Sequence, residues 1–301
     1  MDLSSFKSHT ENFITYITVE KNLTTNTIRA YTADLALFIE FWERVHQQTT
    51  VAFPIQTITE RFLATLYHDK VTKSSIARKI SCLKSLEKYL RTVGVELPIK
   101  VVRPRLDKKL PVFLSVDEMF YLLDKVTDAE LSSSRPLRDK AILELLYATG
   151  IRCAELVAIN RADIDLENKV VKIMGKGRKE RLALFNDKAG ARIAEYLKKE
   201  RGPINPSDPL FINVNHTRIT TRSVQRIMEM FRKLLRTRRP ITPHKIRHSF
   251  ATHLLTQGVD LRVVQELLGH QSLSSTERYT HVSPKRLAEL VDSLHPLNKK
   301  K

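Results

Sequence analysis

The chain has 301 residues, 51 Lys and Arg against 33 Asp and Glu, and a formal net charge of +18. With 42% hydrophobic residues it has material for two cores, which excludes a disordered basic tail. Residues 1–105 carry 15 basic and 10 acidic side chains and the remainder 36 and 23, so both parts are basic, a distribution suited to gripping a polyanion from two sides.

The N-terminus MDLSSFKSHTENF has no basic-then-apolar signal architecture. Residues 1–97 then read as four amphipathic helices with short loops, a small bundle. The first places Phe6, Phe13, Ile14 and Ile17 on one stripe. The second starts near Asn26 and lines up Ile28, Tyr31, Leu35, Phe38, Ile39 and Trp42. The third carries Ile58, Phe62, Leu66 and Tyr67, and the fourth Ile76, Ile80, Leu83 and Leu90 with Gly94 as its stop. Lys73, Arg78, Lys79 and Lys84 fall off that last stripe, either as a solvated face or as one that tracks phosphates.

Next comes PIKVVRPRLDKKLPVFLSVDEM, where Pro98, Pro104 and Pro111 stand among five basic residues, Arg103 and Arg105 included. The prolines forbid a continuing helix and make an extended, positively charged linker over about residues 98–112. The domain boundary belongs there, giving domains 1–105 and 106–301. Ser115 and Glu118 form a capping box for the following helix.

The second part continues with a helix over PLRDKAILELLYATG, closed by Gly150, and then IRCAELVAIN. The period changes at KVVKIM and RLALF, two strands joined by the basic, glycine-bearing turn GKGRKE. Helices resume at 187–201 and 221–238. Thr242 and Pro243 sit as N-cap and first-turn residues of a helix that Gly258 ends, Gly269 closes another, and Ser283 and Pro284 open a last one. No apolar run approaches the roughly 20 residues of a membrane span, and the lone thiols of Cys82 and Cys153 make no disulfide framework. A soluble cytoplasmic protein without a membrane role is expected.

Histidines and arginines crowd ITPHKIRHSFATHLLTQGVD and the later LLGHQSLSSTERYTHV. His244 and His248 are four apart and share a helix face, as zinc ligands do. A zinc hydrolase with that spacing needs a glutamate after the first histidine, and here Lys245 stands there with Arg247 nearby. Cations beside a divalent metal oppose its charge, so no metal is expected. His248 and His253 flank Phe250 and Leu254 and suit a packing role, as Cys153 does, and His281 suits either a structural role or a phosphate contact. Phosphoryl transfer suits the remainder. It needs a nucleophile, cations on the non-bridging oxygens and a proton donor for the leaving oxygen. Arg247 follows His244 by three residues, on the same helix face. Tyr279 offers a hydroxyl of pKa about 10 that becomes nucleophilic when cations stabilise its phenolate.

ATGIRCAEL, GKGRKERL, HKIRHSFATHLL and LLGHQSLSSTERYTHV, in this order and at these spacings, resemble the catalytic boxes of the tyrosine recombinase family over about residues 110–298. The helical N-terminal part resembles that family's core-binding domain. The resemblance implies a mainly α fold with a small antiparallel sheet, a two-domain clamp of four-helix bundle and α+β catalytic domain. It also implies that Arg152 and Arg247 clamp the scissile phosphate, while His244 and His270 donate to its oxygens or help move the tyrosine proton. Lys176 would protonate the 5′-hydroxyl leaving group, with Lys179 sharing its turn and Arg178 between them. Tyr279 would attack to give a 3′-phosphotyrosyl link, and Glu155 matches an acidic supporting position. Residues Arg178 and Lys179, like the cations of the first domain, are candidate DNA contacts. No cofactor is implied.

The bundle begins within the first few residues, which leaves no room for the arm-binding domain of many phage integrases. Size and tail are more similar to the Xer-type recombinases that resolve chromosome or plasmid dimers. The partners implied are double-stranded DNA with two half-sites, and a homotetramer or a heterotetramer with a sibling recombinase. A septal DNA translocase is a further candidate activator. In the last helix, 284–298, Leu287, Leu290, Val291 and Leu294 share a face that resembles the segment docked into a neighbouring subunit. An integrase of a mobile element shares every motif and stays open, as does a type IB topoisomerase. A catalytically dead regulator would lack a box residue, and none is missing.

Overall fold

The computed structural model describes residues 1–49, 51–105, 113–175 and 180–269. The chain forms two compact units, Met1–Lys109 and Leu110–Lys301, and each has its own hydrophobic core.

In the first unit the helices are α1 (Leu3–Val19), α2 (Thr25–Gln48), α3 (Ile55–His68) and α4 (Lys73–Thr92). Asp2, Thr24 and Thr72 cap α1, α2 and α4 by accepting a backbone N–H three residues on. Phe6, Phe38, Trp42 and Phe62 form the aromatic centre, with Phe6 5.4 Å from Phe38 and Phe38 edge-on to Phe62 at 5.2 Å. Tyr67, expected on the apolar stripe of α3, is half-exposed instead, because that helix buries Ile55, Ile58, Thr59, Phe62 and Leu66.

A second departure concerns the basic residues of α4. Lys79 is buried, and its ammonium lies 2.7 Å from Oδ1 of the buried Asp34 on α2. Arg78 donates to the other oxygen of that carboxylate and to the Ala30 carbonyl. Lys84 donates to the Ile99 carbonyl at 3.2 Å and so ties down the chain after α4. The expectation that Lys79 faces solvent is therefore corrected. Periodicity counts a lysine as outward, and the partner that draws this one inward sits 45 residues away on another helix.

The second unit opens with α5 (Val116–Phe120), which continues as a π-helical turn over Tyr121–Lys125. Its capping box closes as expected, with Glu118 N donating to Ser115 Oγ at 3.1 Å and Ser115 N to Glu118 Oε2 at 2.7 Å. Helix α6 (Pro136–Thr149) is buried all round, from Leu137 to Thr149, and the later helices Asp187–Tyr196 and Pro243–Thr256 pack against it. The chain then makes α7 (Cys153–Ala158) and an antiparallel sheet of β1 (Ile164–Asp165), β2 (Val170–Met174) and β3 (Glu180–Leu184), in that order. Two strands were expected, and the two-residue β1 is too short for alternation to reveal. The register sets Val171 opposite Ala183 and Ile173 opposite Arg181.

After the sheet come α8 (Asp187–Tyr196), extended by a π-helical turn to Arg201, then α9 (Thr221–Leu234), α10 (Pro243–Thr256) and α11 (Leu261–Leu268). Helix α9 ends four residues before the expected 238, and Arg236 takes a positive φ of 50° just beyond it. Gly150 and Gly269 end α6 and α11 in the left-handed conformation. The expected final helix and the turn bearing Lys176 lie outside the described residues.

Candidate active site

The site is assembled around the end of α6. At Gly150 the backbone turns left-handed, with φ +61°. A β-carbon there would lie 2.6 Å from the Phe250 ring on α10 and 2.8 Å from Leu268 on α11. Glycine alone lets this turn pass between the two helices. Two residues later Arg152 takes the N-cap position of α7.

Arg152 is fixed by Glu155. Its backbone N–H donates to Glu155 Oε2 at 2.8 Å, and its Nη1 donates to Oε1 at 2.9 Å. The carboxylate is buried, with 7% of the residue exposed, whereas the Arg152 side chain is about half open to solvent. Burying a carboxylate demands cations around it, and a second one is present: Arg181 of β3 donates from Nη2 to Glu155 Oε2 at 2.8 Å.

Arg247 approaches from α10. Thr242 caps that helix by accepting from the Lys245 N–H, and Pro243 occupies the first turn. The guanidinium of Arg247 is buried and donates from Nη1 to the Gly150 carbonyl at 2.6 Å and from Nη2 to the Leu268 carbonyl at 2.7 Å. It thereby clips the ends of α6 and α11 together. Burial pushes its pKa down to about 10, the charges of Arg152 and Arg181 add to the fall, and Glu155 opposes it. Three guanidinium groups thus surround one carboxylate, and the cluster carries a net positive charge ready for an anion.

The structure therefore brings Arg152, Glu155 and Arg247 together. His244 is exposed on α10, one turn before Arg247. Lys176, Arg178, Lys179, His270 and Tyr279 lie outside the described residues, though Gly269, the residue before His270, abuts the Arg181 side chain. Arg103 and Arg105 are exposed in the extended segment after α4. His253 is a core residue: its Nδ1 pairs with the buried Tyr147 hydroxyl at 2.8 Å, and burial lowers its pKa. His248 is half-buried, edge-on to Phe113 at 6.0 Å between ring centres.

Sequence reasoning missed Arg181. A signal existed in strand alternation, since Arg181 is two residues before the buried Ala183 and shares its face, while Leu182 points outward and is 59% exposed. An arginine on the inner face of a strand requires an acidic partner, and Glu155 is that partner.

Residues 113–286 match the model of the phage integrase family, and residues 10–94 match that of the phage integrase N-terminal SAM-like domain. The chain belongs to the phage integrase family. It is 40% identical over 299 residues to tyrosine recombinase XerC of Thermodesulfovibrio yellowstonii, covering 96% of each chain. With tyrosine recombinase XerC of Syntrophus aciditrophicus it shares 38% identity over 305 residues, covering 95% of this chain and 96% of that one. Its fold is shared with XerH recombinase in a pre-cleavage complex on difH (TM-score 0.66, 24% identity, 90% of this chain and 80% of that one). It is shared also with a lambda integrase dimer on a core site (TM-score 0.63, 19% identity, 88% and 95%). The tyrosine recombinase is thus an enzyme of the Xer type, acting in site-specific recombination. Among the described residues no helix is long and apolar enough to cross a membrane.

Proposed function

We propose that the arginine cluster around Glu155 seats the scissile phosphate of double-stranded DNA, and that Tyr279 attacks it. The observation that carries this reading is the convergence of Arg152 and Arg247, 95 positions apart, on the turn at Gly150. In the reaction Arg152 and Arg247 donate to the non-bridging oxygens, where negative charge grows as phosphorus becomes five-coordinate. His244 and His270 hold those oxygens or accept the Tyr279 proton. The Tyr279 oxygen forms a bond to phosphorus, the bond to the 5′-oxygen breaks, and Lys176 delivers a proton to that leaving oxygen.

The product is a 3′-phosphotyrosyl link and a free 5′-hydroxyl. The ester bond is exchanged and not hydrolysed, so a 5′-hydroxyl from a partner duplex reverses the step, and neither ATP nor a metal ion is required. Exchange between two duplexes, each with two half-sites, calls for four subunits, either a homotetramer or a heterotetramer with a sibling recombinase. Helix 284–298 would dock each chain on its neighbour. Such a cytoplasmic enzyme would resolve chromosome or plasmid dimers, with a septal DNA translocase as a candidate activator. Lys73, Arg78, Lys84, Arg103, Arg105, Arg178 and Lys179 would contact DNA phosphates, Arg78 through the exposed part of a guanidinium that also bonds Asp34, while the Lys79 ammonium is buried against Asp34.

A duplex nicked near its cleavage position traps the covalent step. The chain should form an SDS-resistant adduct with it in the presence of chelator and without nucleotide, joined through a 3′-phosphate. Tyr279→Phe keeps the ring and removes the nucleophilic oxygen, and it should abolish the adduct. An adduct formed by Tyr279→Phe, or a wild-type reaction stopped by chelator, overturns the assignment.

A further inference from the structure

The carboxylate that holds Arg152, that of Glu155, creates a difficulty for a phosphate clamp. A buried Glu155 that receives both the backbone N–H and the Nη1 of Arg152 draws that guanidinium toward itself and offsets its charge. An arginine fully neutralised in this way offers little to a phosphate. The second arginine on the same carboxylate changes the balance.

We propose that Arg181 is a positioning residue for strand cleavage, sharing the charge of Glu155 so that the site keeps a positive potential toward the scissile phosphate while Arg152 is held in place. This inference rests on the reading of the cluster as the phosphate seat. Three features of Arg181 carry it. Its Nη2 donates to Glu155 Oε2 at 2.8 Å, the same oxygen that accepts the Arg152 backbone N–H. One negative charge therefore serves two guanidinium groups, and with Arg247 the cluster is left with two positive charges in excess.

The side chain is also confined. It is 18% exposed, and its Nη1 is buried without a hydrogen-bond partner among the described residues. A desolvated, unpartnered donor is unfavourable for folding alone, which suits a group retained for the positive potential it supplies. Finally, Arg181 lies over Gly269. A β-carbon at that residue would stand 2.5 Å from Arg181 Nε and 2.8 Å from Cδ, so the absence of a side chain makes room for the arginine. Arg181 thus joins β3, which follows the turn bearing Lys176, to the Arg152–Glu155 pair and to the residue before His270. Burial is the main cause of the lowered Arg247 pKa; the Arg152 charge adds to it, Glu155 opposes it, and Arg181 makes the smallest contribution.

The test uses the full chain, the nicked duplex and a half-site for binding. Arg181→Met should lower the rate of adduct formation by about 100-fold, the scale of losing one preorganised electrostatic contact, with half-site affinity changed by less than about 3-fold because most phosphate contacts lie elsewhere. Arg181→Lys keeps the charge at Glu155 and should restore the rate to within about 10-fold of wild type. The decisive variant is the double substitution Arg181→Met with Glu155→Gln. With no carboxylate left to offset Arg152, it should cleave faster than Arg181→Met alone, a sign of coupling that a packing role does not produce. A folded, binding-competent Arg181→Met that cleaves at the wild-type rate overturns the proposal, as does a double variant no faster than the single one. Should Arg181→Met fail to fold, Arg181→Lys against Arg181→Gln makes the same comparison of charge at nearly constant size. An adduct that survives Tyr279→Phe while still depending on Arg181 would overturn the nucleophile and leave Arg181 standing. Dependence on Tyr279 without dependence on Arg181 does the reverse.

Discussion

Gly150 does two jobs at once. Its positive φ turns the chain out of α6 toward Arg152, and its carbonyl receives Arg247 at 2.6 Å. Alanine there would meet the Phe250 ring and Leu268 at under 3 Å in a conformation that L-residues avoid. Left-handed strain of about 1–2 kcal/mol and overpacking of about 1–3 kcal/mol act together. Gly150→Ala should therefore destabilise the second unit by roughly 2–5 kcal/mol in urea unfolding. The hairpin turn is tested differently. Lys176→Ala should be rescued by a substrate whose 5′-bridging oxygen is replaced by sulfur, since a thiolate leaves without a proton. Rescue of Lys179→Ala instead would move the general acid along the turn. At this scale Arg152, Glu155 and Arg247 were legible as motif residues. Arg181 was not, because its meaning depends on Glu155, which is 26 positions earlier and reaches it only through the fold.

Helix ends were the most legible part of the elements, since a cap is a local bond between a side chain and a backbone three residues on. Thr242, Ser115, Gly150 and Gly269 all act where their residue types place them. Helix α6 was less legible, because an all-round buried helix carries polar residues that periodicity assigns to water. Lys140 pairs with Asp128 at 2.6 Å and Arg138 with Asp139 at 2.7 Å, but Glu144 Oε1 has no hydrogen-bond partner among the described residues. Burial pushes the Glu144 pKa up to about 7, with Asp124 adding and Lys188 and Arg192 opposing. The sign of the pH effect follows. From pH 4.5 upward the unfolded chain releases this proton while the folded chain keeps it, so rising pH removes stability until the folded group also ionises near 7. Glutamine has no proton to lose. The advantage of Glu144→Gln over wild type should widen by roughly 2 kcal/mol between pH 5.5 and pH 8, read from denaturant unfolding at each pH. An advantage that does not change with pH would mean that Glu144 titrates like an exposed carboxylate.

For the whole molecule, the bundle and the α+β unit were legible because each has its own periodic apolar set. What a single chain's periodicity does not reveal is which apolar faces belong to another copy. Leu287, Leu290, Val291 and Leu294 recur at helical spacing after Tyr279, the proposed nucleophile, and the proposed docking of 284–298 on a neighbour would give each chain one helix to donate and one to receive. A head-to-tail contact of that kind closes into a ring of four on two duplexes. The expected helix would begin only five residues after Tyr279, so its docking would also restrain the proposed nucleophile and couple activity between subunits. Truncation after Val282 leaves the bundle, the linker and the arginine cluster intact. Binding of one protein to one half-site should then stay within about 3-fold of wild type, since phosphate contacts supply it. Cooperative filling of the second half-site should fall, and adduct formation should be lowered or no longer depend on a filled neighbour. Gel shifts on half and full sites read both quantities. Unchanged cooperativity in the truncated chain would mean that the helix packs on its own domain, and the four-subunit ring would then need another contact.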